Sequence, residues 1–219
     1  TLGQYNVAVG YFALANQNFT SASNSYNTAM GCSAGGNITT GQQNTLIGGL
    51  AGDSLTDADY NVAIGVEALS GDTQGSKSVA VGNAALRAQN FASATDGLNI
   101  AVGYAAGLNV TTGQYNVILG GLAGDALTDA DFNTVVGYNA LSSDTKGSKS
   151  TAIGQGALFS QNFTSATDTF NTAVGHAAGV NITTGLRNTC IGGLAGDSAT
   201  TCTDNTLIGH GAGNLITTG

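Results

Sequence analysis

Residues 61–68 are Asn-Val-Ala-Ile-Gly-Val-Glu-Ala, and this stretch carries the pattern that decides the fold. An Asn or Ser is followed by three apolar or Thr residues, a glycine, two variable residues and an alanine. The pattern occurs twelve times, and its glycines are Gly10, Gly31, Gly48, Gly65, Gly82, Gly103, Gly120, Gly137, Gly154, Gly175, Gly192 and Gly209. A short unit repeated at a fixed period is typical of a solenoid. We therefore predict a function that lies in a repeated surface rather than in one unique pocket.

The glycine spacings are 21, 17, 17 and 17 residues, and this series then repeats. Four units make a block of 72 residues, and the chain holds three blocks, at residues 3–74, 75–146 and 147–219. We predict a single repeat domain over residues 1–219, built of twelve coils. Because the chain begins and ends within a repeat, we expect it to be a segment of a longer fibre.

The composition favours short strands joined by many turns. The chain has 34 glycines, no proline and only 8% charged residues. Frequent glycine at a fixed period favours a turn-rich β architecture over disorder. Glycine, asparagine and threonine also form helices poorly. We therefore predict an all-β fold of the parallel β-solenoid type.

The charge and the hydropathy argue against two kinds of partner. The formal net charge is −8, from 13 acidic and five basic residues. Binding to nucleic acid needs a basic stripe that displaces counterions, so we expect no nucleic-acid partner. No apolar run approaches the roughly 18 to 20 residues of a membrane span, so we predict no span in this segment.

The three residues before each motif glycine have the pattern of a strand that is apolar on both faces. The third is always a large aliphatic residue, and the first is always Val, Ile or Thr. These two share one face of a strand, and the apolar residue between them points to the other. A strand of this kind is covered on both faces. A single solenoid covers only its inner face, so we expect identical chains around an axis to cover the outer one.

Two positions after the glycine compensate for each other in volume. Where the fourth residue is Leu, as at Leu69, the seventh is polar, as at Asp72. Where the fourth is Gly, as at Gly52, the seventh is a large aliphatic residue such as Leu55, and only Ala199 departs from this rule. Close packing penalises both voids and double filling, so each coil is predicted to place one Leu-sized side chain in the core.

The Asn that opens the motif is replaced only by Ser78 and Ser150. Such side chains, stacked one coil apart, can form a hydrogen-bonded ladder. The invariant glycine predicts a positive φ angle or a very close approach of backbones.

The 21-residue coils contain four extra residues at one place in each block, which predicts a loop on one side of the solenoid. Phe19, Phe91 and Phe163 lie in these stretches. We favour loops that fold back over their own Phe, and the alternative is an exposed Phe that contacts a ligand.

Segments such as Asn61-Val62-Ala63-Ile64-Gly65 and Asn171-Thr172-Ala173-Val174-Gly175 resemble the head repeats of YadA-type trimeric autotransporter adhesins. They are equally similar to longer repeats of some bacteriophage tail fibres, and the resemblance covers essentially the whole chain. It implies a left-handed parallel β-roll in which three chains form a stiff extracellular fibre, on a bacterial surface or a virion. It also implies binding of host surface proteins or glycans without catalysis.

Acidic residues form two clusters that could supply oxygen ligands for Ca²⁺. The clusters are Asp53, Asp57 and Asp59, and then Asp125, Asp129 and Asp131. The third block keeps Asp197 but has Thr201 and Thr203 at the other two places. A structural Ca²⁺ site would be expected to persist there, so we favour solvated turns.

The remaining candidates for chemistry are few. His176 and His210 follow motif glycines two coils apart. In a trimer, each could form a ring of three histidines that binds a metal or an anion. We favour the alternative that this repeat position accepts any mid-sized side chain. Cys190 aligns with aliphatic residues of other blocks and is predicted to be a small core residue. No catalytic triad is recognisable, and a catalytic carboxylate pair should not recur. We predict no catalytic, cofactor or metal residues.

These observations predict a structural segment, the shaft or head of a homotrimeric adhesin or tail fibre that supports attachment to a host or a surface. One alternative is a polysaccharide-degrading or glycan-binding β-helix with a site between chains. Another is a monomeric solenoid whose second apolar face is covered by a different protein.

Overall fold

A computed structural model describes residues 2–217, and over these residues the chain is an all-β parallel solenoid of about twelve turns. The predicted fold class is confirmed at this level. The chain divides into two compact units between Thr112 and Gly113. The described residues include no helix that could cross a membrane. The three block boundaries stay a prediction.

In the first unit each coil contributes one strand of three residues, and neighbouring strands pair in parallel at equivalent motif positions. Thr45, Leu46 and Ile47, for example, pair with residues 62–64 in that order. The strands are β1 (Gly3–Gln4), β2 (Val7–Val9), β3 (Ser23–Asn24), β4 (Thr28–Met30), β5 (Thr45–Ile47), β6 (Val62–Ile64), β7 (Gly75–Ser76), β8 (Val79–Val81), β9 (Thr95–Asp96) and β10 (Ile100–Val102). The sheet order in this unit is β2-β4-β5-β6-β8-β10.

The second unit repeats this arrangement. Its strands are β11 (Val117–Leu119), β12 (Thr134–Val136), β13 (Gly147–Ser148), β14 (Thr151–Ile153), β15 (Thr167–Asp168), β16 (Thr172–Val174), β17 (Thr189–Ile191) and β18 (Thr206–Ile208). The order in its sheet is β11-β12-β14-β16-β17-β18. The two-residue strands form separate parallel pairs, β1 with β3, β7 with β9, and β13 with β15, next to the longer coils.

The middle residue of each three-residue strand points into the coil. From Ala29 to Ala173 these middle residues are fully buried. The compensating Leu-sized side chains are buried with them, and the prediction of one such group per coil is confirmed for Ile38, Leu55, Leu69, Leu86, Val110, Leu127, Leu141, Leu158 and Ile182, all 0% exposed.

The exchange between Leu and Gly has a backbone cause that the sequence did not reveal. The fourth residue after the motif glycine has a left-handed backbone in either case, with φ of 54° at Gly52 and 53° at Leu69. A Cβ atom added to Gly52 would lie 2.8 Å from the Cδ1 atom of Leu55. The two positions therefore compete for one space, and Leu accepts an unfavourable φ in return for burial.

The motif glycine satisfies both expectations made for it. Its φ angle lies between 121° at Gly209 and 144° at Gly31, a range that L side chains rarely adopt. A Cβ atom added to Gly65 would also overlap sterically with the Gly82 carbonyl in the next coil. Glycine is required here by conformation and by space together.

The Asn ladder is present, but most of its bonds join side chain to backbone rather than amide to amide. Asn61 Nδ2 donates to the Gly75 carbonyl (2.8 Å), which closes its own coil. Asn61 Oδ1 accepts the backbone N–H of Ser78 (2.9 Å) in the next coil. Direct amide-to-amide bonds occur too, as from Asn44 to Asn27 at 3.2 Å. Because the next coil donates through its backbone, Ser can replace Asn there.

The inserted loops fold back as expected, since Phe19, Phe91 and Phe163 are 7%, 4% and 8% exposed. A buried carboxylate that the sequence did not indicate anchors the second of these loops. Asp72 Oδ1 accepts the N–H groups of Gly75 (3.0 Å) and Phe91 (3.2 Å), and Oδ2 accepts from Gln89 Nε2 at 2.6 Å. Asp144 makes the same bonds in the second unit, to Gly147, Gln161 and Phe163.

Candidate interaction surface

The first and third residues of each motif strand point outward, because the middle residue points into the coil. We call these residues the apolar sheet face. In the first unit they are Val7, Val9, Thr28, Met30, Thr45, Ile47, Val62, Ile64, Val79, Val81, Ile100 and Val102. In the second unit they are Val117, Leu119, Thr134, Val136, Thr151, Ile153, Thr172, Val174, Thr189, Ile191, Thr206 and Ile208.

This face exposes large aliphatic side chains to solvent. Met30 is 47% exposed, Val102 is 38% exposed and Ile191 is 39% exposed. None of the residues of the face is charged, and every residue of its first column is Val, Ile or Thr. Scattered exposed aliphatic residues are normal in soluble proteins, but a contiguous uncharged face of this kind marks a site of interaction.

A column of exposed aromatic residues borders the face on the side before the motif Asn. These residues have left-handed backbones, with φ of 61° at Tyr5 and 58° at Phe132. The rings of Tyr5 and Tyr26 stack at 5.2 Å, and those of Tyr115 and Phe132 stack at 4.8 Å. Stacked rings turn their faces to each other and leave their edges for a partner.

Basic residues interrupt this column, and each forms an ion pair with an Asp from a neighbouring coil. Lys77 Nζ lies 2.5 Å from Asp96 Oδ2, and Arg187 Nε lies 2.6 Å from Asp204 Oδ1. The hydrogen bond to Asp96 raises the pKa of Lys77, and the hydrogen bond from Arg187 lowers the pKa of Asp204. All four side chains are exposed, so these pairs contribute little to stability, but they keep charge at the edge of the apolar sheet face.

The acidic clusters act as hydrogen-bond acceptors in turns. Asp59 Oδ1 accepts the backbone N–H of Gln42 at 2.7 Å, and burial raises the pKa of Asp59. In the third block Thr203 Oγ1 accepts the equivalent N–H, from Leu186, at 3.3 Å. A hydroxyl can thus replace the carboxylate, which explains why the acid lapses. Within residues 2–217 no group of three or more His, Cys, Asp or Glu side chains could hold a metal ion.

The histidines and cysteines take different places. His176 and His210 are exposed and lie on either side of Gly193, where a Cβ atom would be 3.6 Å from the His210 ring. Cys190 is 1% exposed, which confirms the prediction of a core residue, and burial raises the pKa of its thiol to about 11. Cys202 is also buried, whereas Cys32 is exposed.

Two surface features were missed from the sequence. The sequence does indicate the aromatic column, because Tyr5, Tyr26, Tyr60 and Tyr115 each stand directly before a motif Asn. The sequence signal for a groove in the first unit is weaker: it is a glycine at position 36 where the other blocks carry larger residues. Both depend on which residues of successive coils become neighbours.

The fold and the surface define the chain as a parallel β-solenoid with an uncovered apolar sheet face. Comparisons with models of protein families, with curated proteins and with solved structures find no match.

Proposed function

We propose that the chain is a structural segment, the shaft or head of a homotrimeric fibre such as an extracellular adhesin or a phage tail fibre. The observation that carries the proposal is the uncharged apolar sheet face, repeated in every coil. In a single chain its aliphatic residues remain partly in water, as at Ile64 and Ile153. Their burial against a partner would stabilise the assembly by about 25 cal/mol for each Å² of apolar surface.

Identical chains are the partners that fit this face best. The face repeats with the coil, about every 4.8 Å, so a flat partner must repeat at the same interval. A second copy of the chain meets that condition along its whole length. Closed rotational symmetry gives every copy the same covered surface, and the resemblance to trimeric adhesins supports three copies and a left-handed coil.

The mechanism of such a segment is mechanical. Each coil is bonded to the next by the sheet, by the Asn ladder and by the stacked motif glycines, so bending requires many bonds to yield together. A stiff segment holds a receptor-binding tip away from the surface that bears it. Three equal sides would also present any weak binding site three times, which raises avidity without new contacts.

Sedimentation equilibrium of the 219-residue chain tests the assembly. We expect the mass of three chains. The double variant Ile47→Lys/Ile64→Lys places two charges on the face and is expected to sediment as a monomer that keeps its β circular dichroism. The matched variant Ser21→Lys/Ser93→Lys places the same charges in exposed loops and should remain a trimer. A wild-type monomer would remove the argument from the face.

A second measurement addresses catalysis. We propose that the segment acts without an enzymatic step, since acids such as Asp59 serve as hydrogen-bond acceptors in turns. Incubation with bacterial capsule and cell-wall glycans, followed by a reducing-sugar assay, is expected to show no new reducing ends. Release of reducing ends above a heat-treated control would favour the polysaccharide-degrading alternative.

A further inference from the structure

A groove of about 280 Å³ lies on the surface of the first unit, beyond the turn that follows the motif glycine. Two apolar side chains stand on one side, Phe12 and Leu50, which are 55% and 39% exposed. They occupy the same column, two coils apart, with Ser33 between them. The left-handed backbone at this position, φ 58° at Phe12, turns each side chain outward beside the groove.

Polar groups stand on the opposite side. Asn16 Nδ2 donates to Asn37 Oδ1 at 3.1 Å, and Asn37 Nδ2 donates to the Asp53 carbonyl at 2.8 Å. Each amide nitrogen carries two hydrogens, and these bonds use one of each pair. Both Asn side chains are exposed, and the Asp53 carboxylate adds further acceptors. The groove therefore offers donors and acceptors side by side, fixed by their own bonds.

Small residues form the floor. Gly36 is buried there, and a Cβ atom added to it would lie 3.2 Å from the Ser33 carbonyl oxygen. The residues at the same repeat position in the other two blocks are Leu108 and Val180, and Ala84 and Gly156 stand where Phe12 does. These exchanges fill the floor and remove the aromatic wall, so one block alone carries the complete set of residues.

We propose that this groove binds one neutral pyranose residue of a glycan. Sugar hydroxyls both donate and accept hydrogen bonds, which matches the donors of the paired amides and the acceptors of the carboxylate. The C–H face of the sugar ring can pack on an aromatic side chain such as Phe12. The volume lies just below the roughly 300 to 1,000 Å³ of pockets for drug-sized molecules, which suits a single ring.

Charge selects against acidic sugars. Asp53 lies at the groove and interacts electrostatically with Glu67, and the whole chain carries a net charge of −8. An anionic sugar would be repelled by this field, whereas a neutral sugar is not affected. The groove is built within one chain, so the inference goes beyond the proposed shaft and does not require a trimer.

Saturation-transfer NMR with the 219-residue chain tests the site. The probes are the methyl glycosides of glucose, mannose, galactose and N-acetylglucosamine, with methyl glucuronide as the anionic comparison. We expect saturation transfer to at least one neutral glycoside, with one site per chain by titration, and none to the glucuronide. Absence of transfer to all four neutral glycosides at millimolar concentration would overturn the proposal.

Variants taken from the chain's own repeats locate the site. Gly36→Val introduces the residue of the third block, and Phe12→Ala introduces that of the second, so both suit the fold. Each is expected to weaken binding at least tenfold. Leu108→Val places the same residue at the equivalent place in the second block and should leave affinity unchanged. Equal affinity of Gly36→Val and wild type would reject the groove as the site.

The test separates this site from the fibre. The charged double variant of the apolar sheet face should lose the trimer and keep one sugar site per chain. Asp53→Asn removes the carboxylate charge and is expected to admit methyl glucuronide while neutral binding stays within a few-fold. Continued exclusion of the glucuronide by Asp53→Asn would show that charge at this residue does not set the selectivity.

Discussion

The inward and outward columns of the same strands differ in the size of their residues. The difference is the reverse of that in an ordinary sheet, whose large apolar residues point inward. Inward residues are mostly small, as at the fully buried Ala63, while the outward column carries large aliphatic residues such as Ile64. Small residues predominate in the inward column because a Leu-sized side chain such as Leu69 already occupies much of the interior of its coil, although Leu46 and Ile118 are also fully buried in that column. The large residues of the outward column become fully buried only if another surface packs against them. Coil stability therefore comes from the inside and assembly from the outside.

The largest expected effect is from a charge on the inward column. Ala63→Lys would bury an ammonium between Leu46 and Ala80, its apolar neighbours in the sheet. We expect a loss of about 5 kcal/mol, enough to unfold the coil region, because an unpaired buried charge is among the most costly changes. Circular dichroism on heating measures it.

The neighbouring substitution is the control. Ile64→Lys places the same charge one residue along, on the outward column, where solvent can reach it. Its monomer should keep the β spectrum and differ mainly in assembly. If both variants unfolded to the same extent, a charge in the outward column would be as costly as one in the inward column, and the contrast between the columns would fail.

Much of this comparison was predictable because its main features recur in nearly all of the twelve repeats. The alternation, the compensating Leu and Gly, the Asn ladder and the glycine stack each appear as a column, so exceptions such as Ala199 do not hide the rule. The sequence did not say which column faces inward. The structure decides it, because Ala63 is fully buried whereas Ile64 on the other face of the same strand is only partly buried.

The next effect concerns the shared interior space. Leu55→Ala is expected to lower stability by about 3 kcal/mol, since it leaves a cavity in a fully buried site. Gly52→Leu should also destabilise, because its side chain would compete with Leu55. The double variant should be more stable than the sum of the single effects predicts, because truncation of Leu55 vacates part of the space that the new side chain needs, although Leu46 Cδ2 lies equally close to it. Thermal midpoints of the four proteins measure the coupling, and strict additivity would contradict a shared space.

Two other features, a buried carboxylate and a surface groove, could not be predicted because they join residues far apart in the chain. Asp72 resembles a surface acid by type, and its burial depends on the loop that brings Phe91 back to it. The groove depends on three successive coils, with Gly36 at its floor. A repeat pattern shows what each coil shares with the others, and these sites arise where coils differ.

A smaller effect is expected at the ladder. Asn61→Ala leaves the Ser78 N–H and the Gly75 carbonyl without their side-chain partner, which should cost about 2 kcal/mol. Asn83→Ala, at an exposed outward position, is the matched control and should change the thermal midpoint little. Equal shifts in the two variants would mean that the ladder adds nothing to stability.

The smallest effect distinguishes inward and outward cysteines by pH. Burial, together with the nearby Cys202, raises the pKa of the Cys190 thiol to about 11. A thiol held neutral in the fold contributes stability that is complete below its ordinary pKa, 9.0, and is lost as the pH rises toward about 11. The thermal midpoint should therefore fall between pH 8 and pH 10.5 by a few degrees more in wild type than in Cys190→Ala, which carries the alanine found at that position in β16.

At pH 8, iodoacetamide should modify the exposed Cys32 long before Cys190, because the thiolate is the reacting form and Cys190 lies inside the coil. Equal rates at the two cysteines would show that the inward column opens readily to solvent, and the contrast between the two faces of the strand would then fail.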